Sequence, residues 1–219
     1  PGWKDCRRFL FLPGHRLSMF HVSDACEQLG LRAGAILHQG VTIQPASAEL
    51  RAEIDEAAAE VARQFQDRAA IRTRAEIAQL HQVLRDVGVK PRRHPPSNQK
   101  LLEFALKHGT LPAINNLVDA YNLVSLRTLA SLGAHDRGQI SSPVELRLLT
   151  GEETFTPLGS SEPESVVAGE FGYVDAEERL LCRLDSLQAD FSKVGESTRD
   201  VLVIVESTTA TPDQDRRAA

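Results

Sequence analysis

The chain is poor in the residues that build staples, anchors and metal sites. Its three cysteines, Cys6, Cys26 and Cys182, are odd in number, far apart and form no Cys-x-x-Cys pair. That excludes a disulfide framework and a structural zinc site, and it suits a reducing cytoplasm. No stretch approaches the roughly 18–20 apolar residues of a membrane span, so a soluble chain with no membrane partner is expected. The histidines, at 15, 21, 38, 81, 94, 108 and 135, have neither His-x-x-x-His nor His-Glu-x-x-His spacing, so no metal is expected. A glycine-rich phosphate loop and a Gly-x-Ser-x-Gly elbow are both missing. Cys182, in an apolar strand context, reads by default as an inert buried thiol. Neither a cofactor nor a covalent mechanism is indicated.

Methionine is also scarce: Met19 is the only one, and residues 1–18 precede it. Those residues read as upstream or added sequence, with a native start at Met19; a processed N-terminus is the alternative. The expected domain spans residues 19–207, followed by a polar, fraying tail over 208–219.

Charge is unevenly spread. The whole chain carries −5, yet between Arg85 and His108 six basic residues (Arg85, Lys90, Arg92, Arg93, Lys100, Lys107) face two acidic ones (Asp86, Glu103). The local net charge is +4. Such a run is usually a solvated face; clustered on one side it is a phosphate-binding patch.

Apolar spacing divides the chain into helices first and strands afterwards, which predicts an α+β fold with N-terminal helices packed on a largely antiparallel sheet. Strands are expected at Phe20–Val22 and Ala35–Ile43, with a short helix between them capped by Ser23 and ending before Gly30. Ser47 opens a helix carrying Leu50, Ile54, Ala57, Val61 and Phe65 on one face. Thr73-Arg-Ala-Glu76 reads as a capping box for the next. A Pro-rich connector over 90–96 leads to a helix at Asn98–Lys107, capped by Ser97 and stopped by Gly109. Further strands are expected near 144–149, 154–158, 165–174 and 180–185. Val201–Val205 reads as a central buried strand.

Three polar clusters interrupt this pattern. Leu111-Pro-Ala-Ile-Asn-Asn-Leu-Val-Asp-Ala-Tyr-Asn122 places Asn115, Asp119 and Asn122 at i, i+4 and i+7 of a helical run. Buried polar groups cost on the order of 2–7 kcal/mol unless hydrogen-bonded, so this segment is either a capping network or a pocket wall. Gly133-Ala-His-Asp136 sets His135 beside a carboxylate in an expected loop: an acid/base pair or a surface turn. Asp185–Lys193 reads as a polar loop, again a site or an ordinary connection whose Asp caps backbone donors.

Together with Gly30-Leu-Arg-Ala-Gly34, Gly151-Glu-Glu-Thr-Phe-Thr-Pro-Leu-Gly159, Gly169-Glu-Phe-Gly-Tyr-Val-Asp175, Cys182-Arg183 and Lys193-Val-Gly-Glu-Ser-Thr-Arg-Asp-Val201, these clusters occur in a fixed order. In that order they resemble the tRNA-editing (B3/B4) domain of the phenylalanyl-tRNA synthetase beta subunit and its free-standing relatives, over roughly residues 20–207. The resemblance implies the synthetase beta-chain α+β fold and metal-independent hydrolysis of a mischarged aminoacyl-tRNA ester, supplied in trans. Aminoacylated tRNA is then the partner and DNA is not. A tRNA- or partner-binding module without catalysis, and recognition of a free amino-acid-like molecule, are the alternatives.

It further implies His135, Asn122 and Asp190 as catalytic groups, and Asn115, Asp119, Gly133 and Ala134 as substrate contacts. Lys90, Arg92, Arg93, Lys100 and Lys107 would meet tRNA. The synthetase's editing histidine corresponds to Gly133, and its tyrosine-reading glutamate falls near Asp190, one methylene shorter.

Overall fold

A computed structural model describes residues 19–210. The expected N-terminal extension, 1–18, and most of the expected tail, 211–219, lie outside the described residues.

The first elements follow the local signals. After β1 (Phe20–Val22), Ser23 accepts from Cys26 N and caps α1 (Asp24–Gln28). β2 occupies Leu31–Gln39 rather than 35–43, because Gly40 adopts φ 71° and ends it. Ser47 caps α2 (Ala48–Gln64) through Leu50 N at 3.2 Å, and Ile54, Ala57, Ala58 and Val61 form its buried stripe.

The expected capping box at Thr73 does not form. A short helix missed by the sequence reading, α3 (Arg68–Arg72), is capped by Asp67, and Thr73 ends it with its hydroxyl on Ala70 O at 2.9 Å. α4 (Ala75–Asp86) therefore starts at Arg74 with no side-chain cap. α5 (Ser97–His108) stops at Gly109, whose φ of 68° suits glycine. α6 begins only at Asn116 and runs to Thr128, leaving 111–115 extended.

The strands form two sheets. β3 (Ser131–Asp136), β4 (Val144–Leu148), β5 (Phe171–Val174), β6 (Leu180–Arg183), β7 (Leu187–Gln188) and β8 (Asp200–Thr208) complete the order. One sheet runs β1-β4-β5-β6-β7, antiparallel except for the parallel β1–β4 pair; the other runs β2-β8-β3, all antiparallel. β8 is the central strand expected from its β-branched run, extended to Thr208 at the start of the expected tail. Thr154–Leu158 contributes isolated bridges rather than a strand. Gly133–Asp136 is strand, not loop, because β8 offers it a full ladder of partners.

Two large apolar cores and two smaller ones result among the described residues. Leu146, Tyr173, Leu181, Leu202 and Ile204 fill the space between the sheets, with Leu80 and Val83 of α4 joining them. Ile54, Val61, Ile77, Leu102 and Leu126 form the core of the helical layer. No described helix is long and apolar enough to cross a membrane.

Candidate functional site

Strand register decides which face of β3 matters. Ser131, Gly133 and His135 lie opposite Glu206, Ile204 and Leu202 of β8, so all six side-chain positions face the inter-sheet space. The two ends of this row are tied to the segment that follows β6. Ser131 Oγ donates to Asp185 Oδ2 at 3.1 Å, and His135 Nδ1 lies 2.9 Å from Ser192 Oγ. Between them, nothing stands within 4 Å of where a Cβ on Gly133 would be. The strand face thus has a gap, bracketed by two polar residues. Along the strand's outer edge, Gln188 Nε2 donates to Ala134 O at 3.2 Å and Asp136 N to Ser192 O at 2.8 Å.

Asp185 is the hub above the gap. It accepts from Ser97 N and Ser97 Oγ, each at 3.0 Å, besides Ser131. Ser97 therefore serves this junction instead of capping α5 as expected. Left-handed backbone gathers here too: Leu184 at φ 54° and Asp185 at 66° turn the chain out of β6. Leu129 at 61° ends α6, and its carbonyl is held by Asn98. Three of the four described non-glycine residues with positive φ meet at this junction, a concentration that the surrounding packing has to hold in place.

Burial disfavours charge on several groups around the cleft, Asp185 among them. Burial pushes the His135 pKa down to about 4, so its imidazole is uncharged at pH 7. Burial, with the neighbouring charges of Cys182 and Asp119, pushes the Tyr121 hydroxyl up to about 12. Cys182 is also raised, by burial and then by Asp185 and Glu206, and stays a thiol. Glu206 is buried, its pKa is raised by burial and then by Asp185, and it is hydrogen-bonded to the Tyr173 hydroxyl through Oε2 while Oε1 has no partner. Lys100 is solvent-exposed, yet desolvation lowers its pKa while Asp185 and Cys182 oppose that effect, which marks it as a neighbour of the same cleft.

The expected site residues separate into groups. Gly133, Ala134 and His135 are brought together on β3. Asn115 and Asp119 are not part of that group: Asn115 caps α6 through Val118 N at 2.9 Å, and Asp119 accepts from Ile114 N at 3.0 Å and Arg51 Nη1 at 3.1 Å. Asn122 is buried with no side-chain hydrogen bond among the described residues. Asp190 accepts from Gly159 N at 2.9 Å and pairs with Lys193, and these bonds hold its pKa low. Lys100 stands apart from Lys90, Arg92, Arg93 and Lys107 through its place beside Asp185 and Cys182. Sequence reasoning missed Glu206, although a carboxylate in phase with Leu202 and Ile204 on a core strand was the available signal. A separate hollow of about 680 Å3 lies between α2, α3 and the end of α6, lined by Val61, Phe65 and Leu126 together with the polar Glu60, Gln64, Arg74 and Arg127.

A sequence profile describing the B3/4 domain matches residues 79–217. The chain belongs to the B3/4 domain family. The match starts in α4 and takes in every element that frames the gap at Gly133. An N-terminal fragment of the phenylalanyl-tRNA synthetase beta subunit from Pyrococcus horikoshii is structurally similar, with a TM-score of 0.43 at 12% identity. That likeness covers 89% of this chain and 46% of the fragment, so this B3/4 chain spans under half of that fragment. No curated protein matches.

Proposed function

We propose that this B3/4 domain hydrolyses the ester of a mischarged aminoacyl-tRNA supplied in trans, and that the aminoacyl side chain seats in the gap over Gly133. The observation that supports this reading best is the gap itself: room for a side chain, bracketed by Ser131 and His135. Two of the groups around it, His135 with its pKa lowered to about 4 and Tyr121 raised to about 12, are uncharged at neutral pH. An uncharged aminoacyl group enters such a site at lower desolvation cost than a charged one.

Ester hydrolysis needs an oriented water and donors for the developing oxyanion, and neither a metal nor a protein nucleophile is compulsory. In this reading Asn122 and the Tyr121 hydroxyl orient water and substrate, since neither side chain has a hydrogen bond among the described residues. His135 acts through Ser192, holding the 188–192 segment against β3. Asp190 holds the neighbouring loop. The test is a panel of mischarged tRNAs incubated with purified protein: accelerated release of an uncharged amino acid from at least one supports the reading, and no turnover across the panel sinks it.

Binding without turnover is the second reading. It is favoured by His135 and Asp190, whose polar atoms are engaged in internal bonds. Tight tRNA binding with no deacylation would establish it over the first.

A further inference from the structure

Away from the cleft, on the helical side, α3, α4, the connector after α4 and the start of α5 enclose a recess of about 480 Å3. Its wall carries Arg72, His81, Arg85 and Arg92, with Pro91, Pro95 and Gln99 completing it. His81 and Arg85 are one helical turn apart on α4, so both present to the same side.

The charges in this recess are unequally matched. Arg72 is neutralised by Glu103, at 2.9 Å from Nη2. Gln99 Nε2 donates to the same carboxylate at 2.7 Å, which turns its amide oxygen toward His81 Nε2 at 2.6 Å. That oxygen can only accept, so His81 donates from Nε2. Arg85, in contrast, bonds only the neutral Gln82 amide oxygen among the described residues, at 2.9 and 3.3 Å. Arg92 has no side-chain partner among the described residues. Two guanidinium groups therefore border one hollow without a carboxylate between them. Prolines on both sides of Arg92 restrict the backbone that carries it.

We infer that this recess binds the phosphodiester backbone of an RNA strand, with Arg85 and Arg92 each gripping a phosphate. Guanidinium forks suit phosphate oxygens in bidentate fashion, and partly pre-set ones lose less freedom on binding. The hollow is larger than one phosphate group needs and is formed by side chains from four segments, which fits a strand passing through. The inference rests on the proposed tRNA substrate and adds where its backbone is held: Arg85 and Arg92, both from the expected basic run, act with Arg72 and His81 from earlier in the chain.

The experiment measures affinity for an uncharged tRNA by fluorescence anisotropy between 50 and 300 mM salt, using full-length protein. Wild type is compared with Arg85→Gln/Arg92→Gln and with a charge-matched control, Arg32→Gln/Arg127→Gln, whose arginines lie outside the recess. Removing two phosphate contacts should flatten the slope of log affinity against log salt by about 1.5 and weaken binding at least tenfold near 100 mM. The control should lose less than a third of that slope change. All proteins are checked for unchanged thermal unfolding, expected because Arg85 and Arg92 are exposed. A recess variant that keeps the wild-type slope, or a control that loses as much, overturns the recess while leaving tRNA binding standing. Wild-type protein that binds no tRNA at 50 mM salt overturns both.

Discussion

The start and the middle of α6 treat buried and half-buried polar groups in opposite ways. At its start, Asn115 caps the helix, Asn116 bonds both Gln44 N at 3.1 Å and Thr42 O at 2.9 Å, and Asp119 holds Ile114 and Arg51. Further along, among the described residues, Asn122 is buried without a side-chain partner, the Tyr121 hydroxyl has none, and Ser125 Oγ is buried and unsatisfied. Side chains of the same chemical type thus serve two purposes within one helix. The first set fixes the entry of the chain into α6; the second retains hydrogen-bonding capacity, with Tyr121 close enough to Cys182 to feel its charge. Buried polar groups with their bonds made stabilise a fold, whereas those without them cost stability and so point toward function.

This contrast can be broken by mutation. Asp119→Ala removes a fully buried carboxylate and leaves Arg51 without its ion pair, so unfolding free energy should fall by about 3 kcal/mol. Urea denaturation measures that loss, and deacylation per folded molecule should stay within twofold of wild type.

The buried titratable groups around the cleft give a pH test of similar size. His135 has a folded pKa of about 4 against the ordinary 6.5, so its contribution is fully present above about pH 6.5 and is lost as pH falls toward 4. That loss approaches about 3 kcal/mol, and His135→Gln should flatten this acid limb. Glu206, raised in the folded state, works in the opposite sense: its contribution is present below the ordinary carboxyl range and fades as pH rises through the folded value. Glu206→Gln should reduce the decline on that side, read from melting temperature across pH 4–8.

Asn122→Ala should behave unlike Asp119→Ala. With no bond to lose, it should change stability by less than about 1 kcal/mol, while turnover drops at least tenfold. A loss of stability equal to that of Asp119→Ala, with turnover per folded molecule intact, would erase the distinction between the start and the middle of the helix.

Much of the fold was legible because its signals are local. Ser23 and Ser47 cap where their spacing suggests, Gly109 stops α5, and the β-branched run of β8 occupies the centre of its sheet. Misreadings arose where a distant partner decides. Gly-Ala-His-Asp has little intrinsic strand preference and is a strand because β8 pairs with it. Ser97 was expected to cap its own helix but bonds Asp185, 88 residues away. The role of Asp119 depends on Arg51, 68 residues upstream. The family was readable from ordered motifs, whereas the gap at Gly133 required register and packing to become visible.

The most direct measurement is deacylation of a responsive mischarged tRNA by Gly133→Val. A β-branched side chain fits a strand and meets no atom within 4 Å of its Cβ position, so the variant should unfold at the wild-type temperature within a few degrees. By occupying the seat proposed for the aminoacyl group, it should slow turnover at least a hundredfold. Wild-type turnover by the folded variant would contradict the account, because the gap would then not be where the substrate sits.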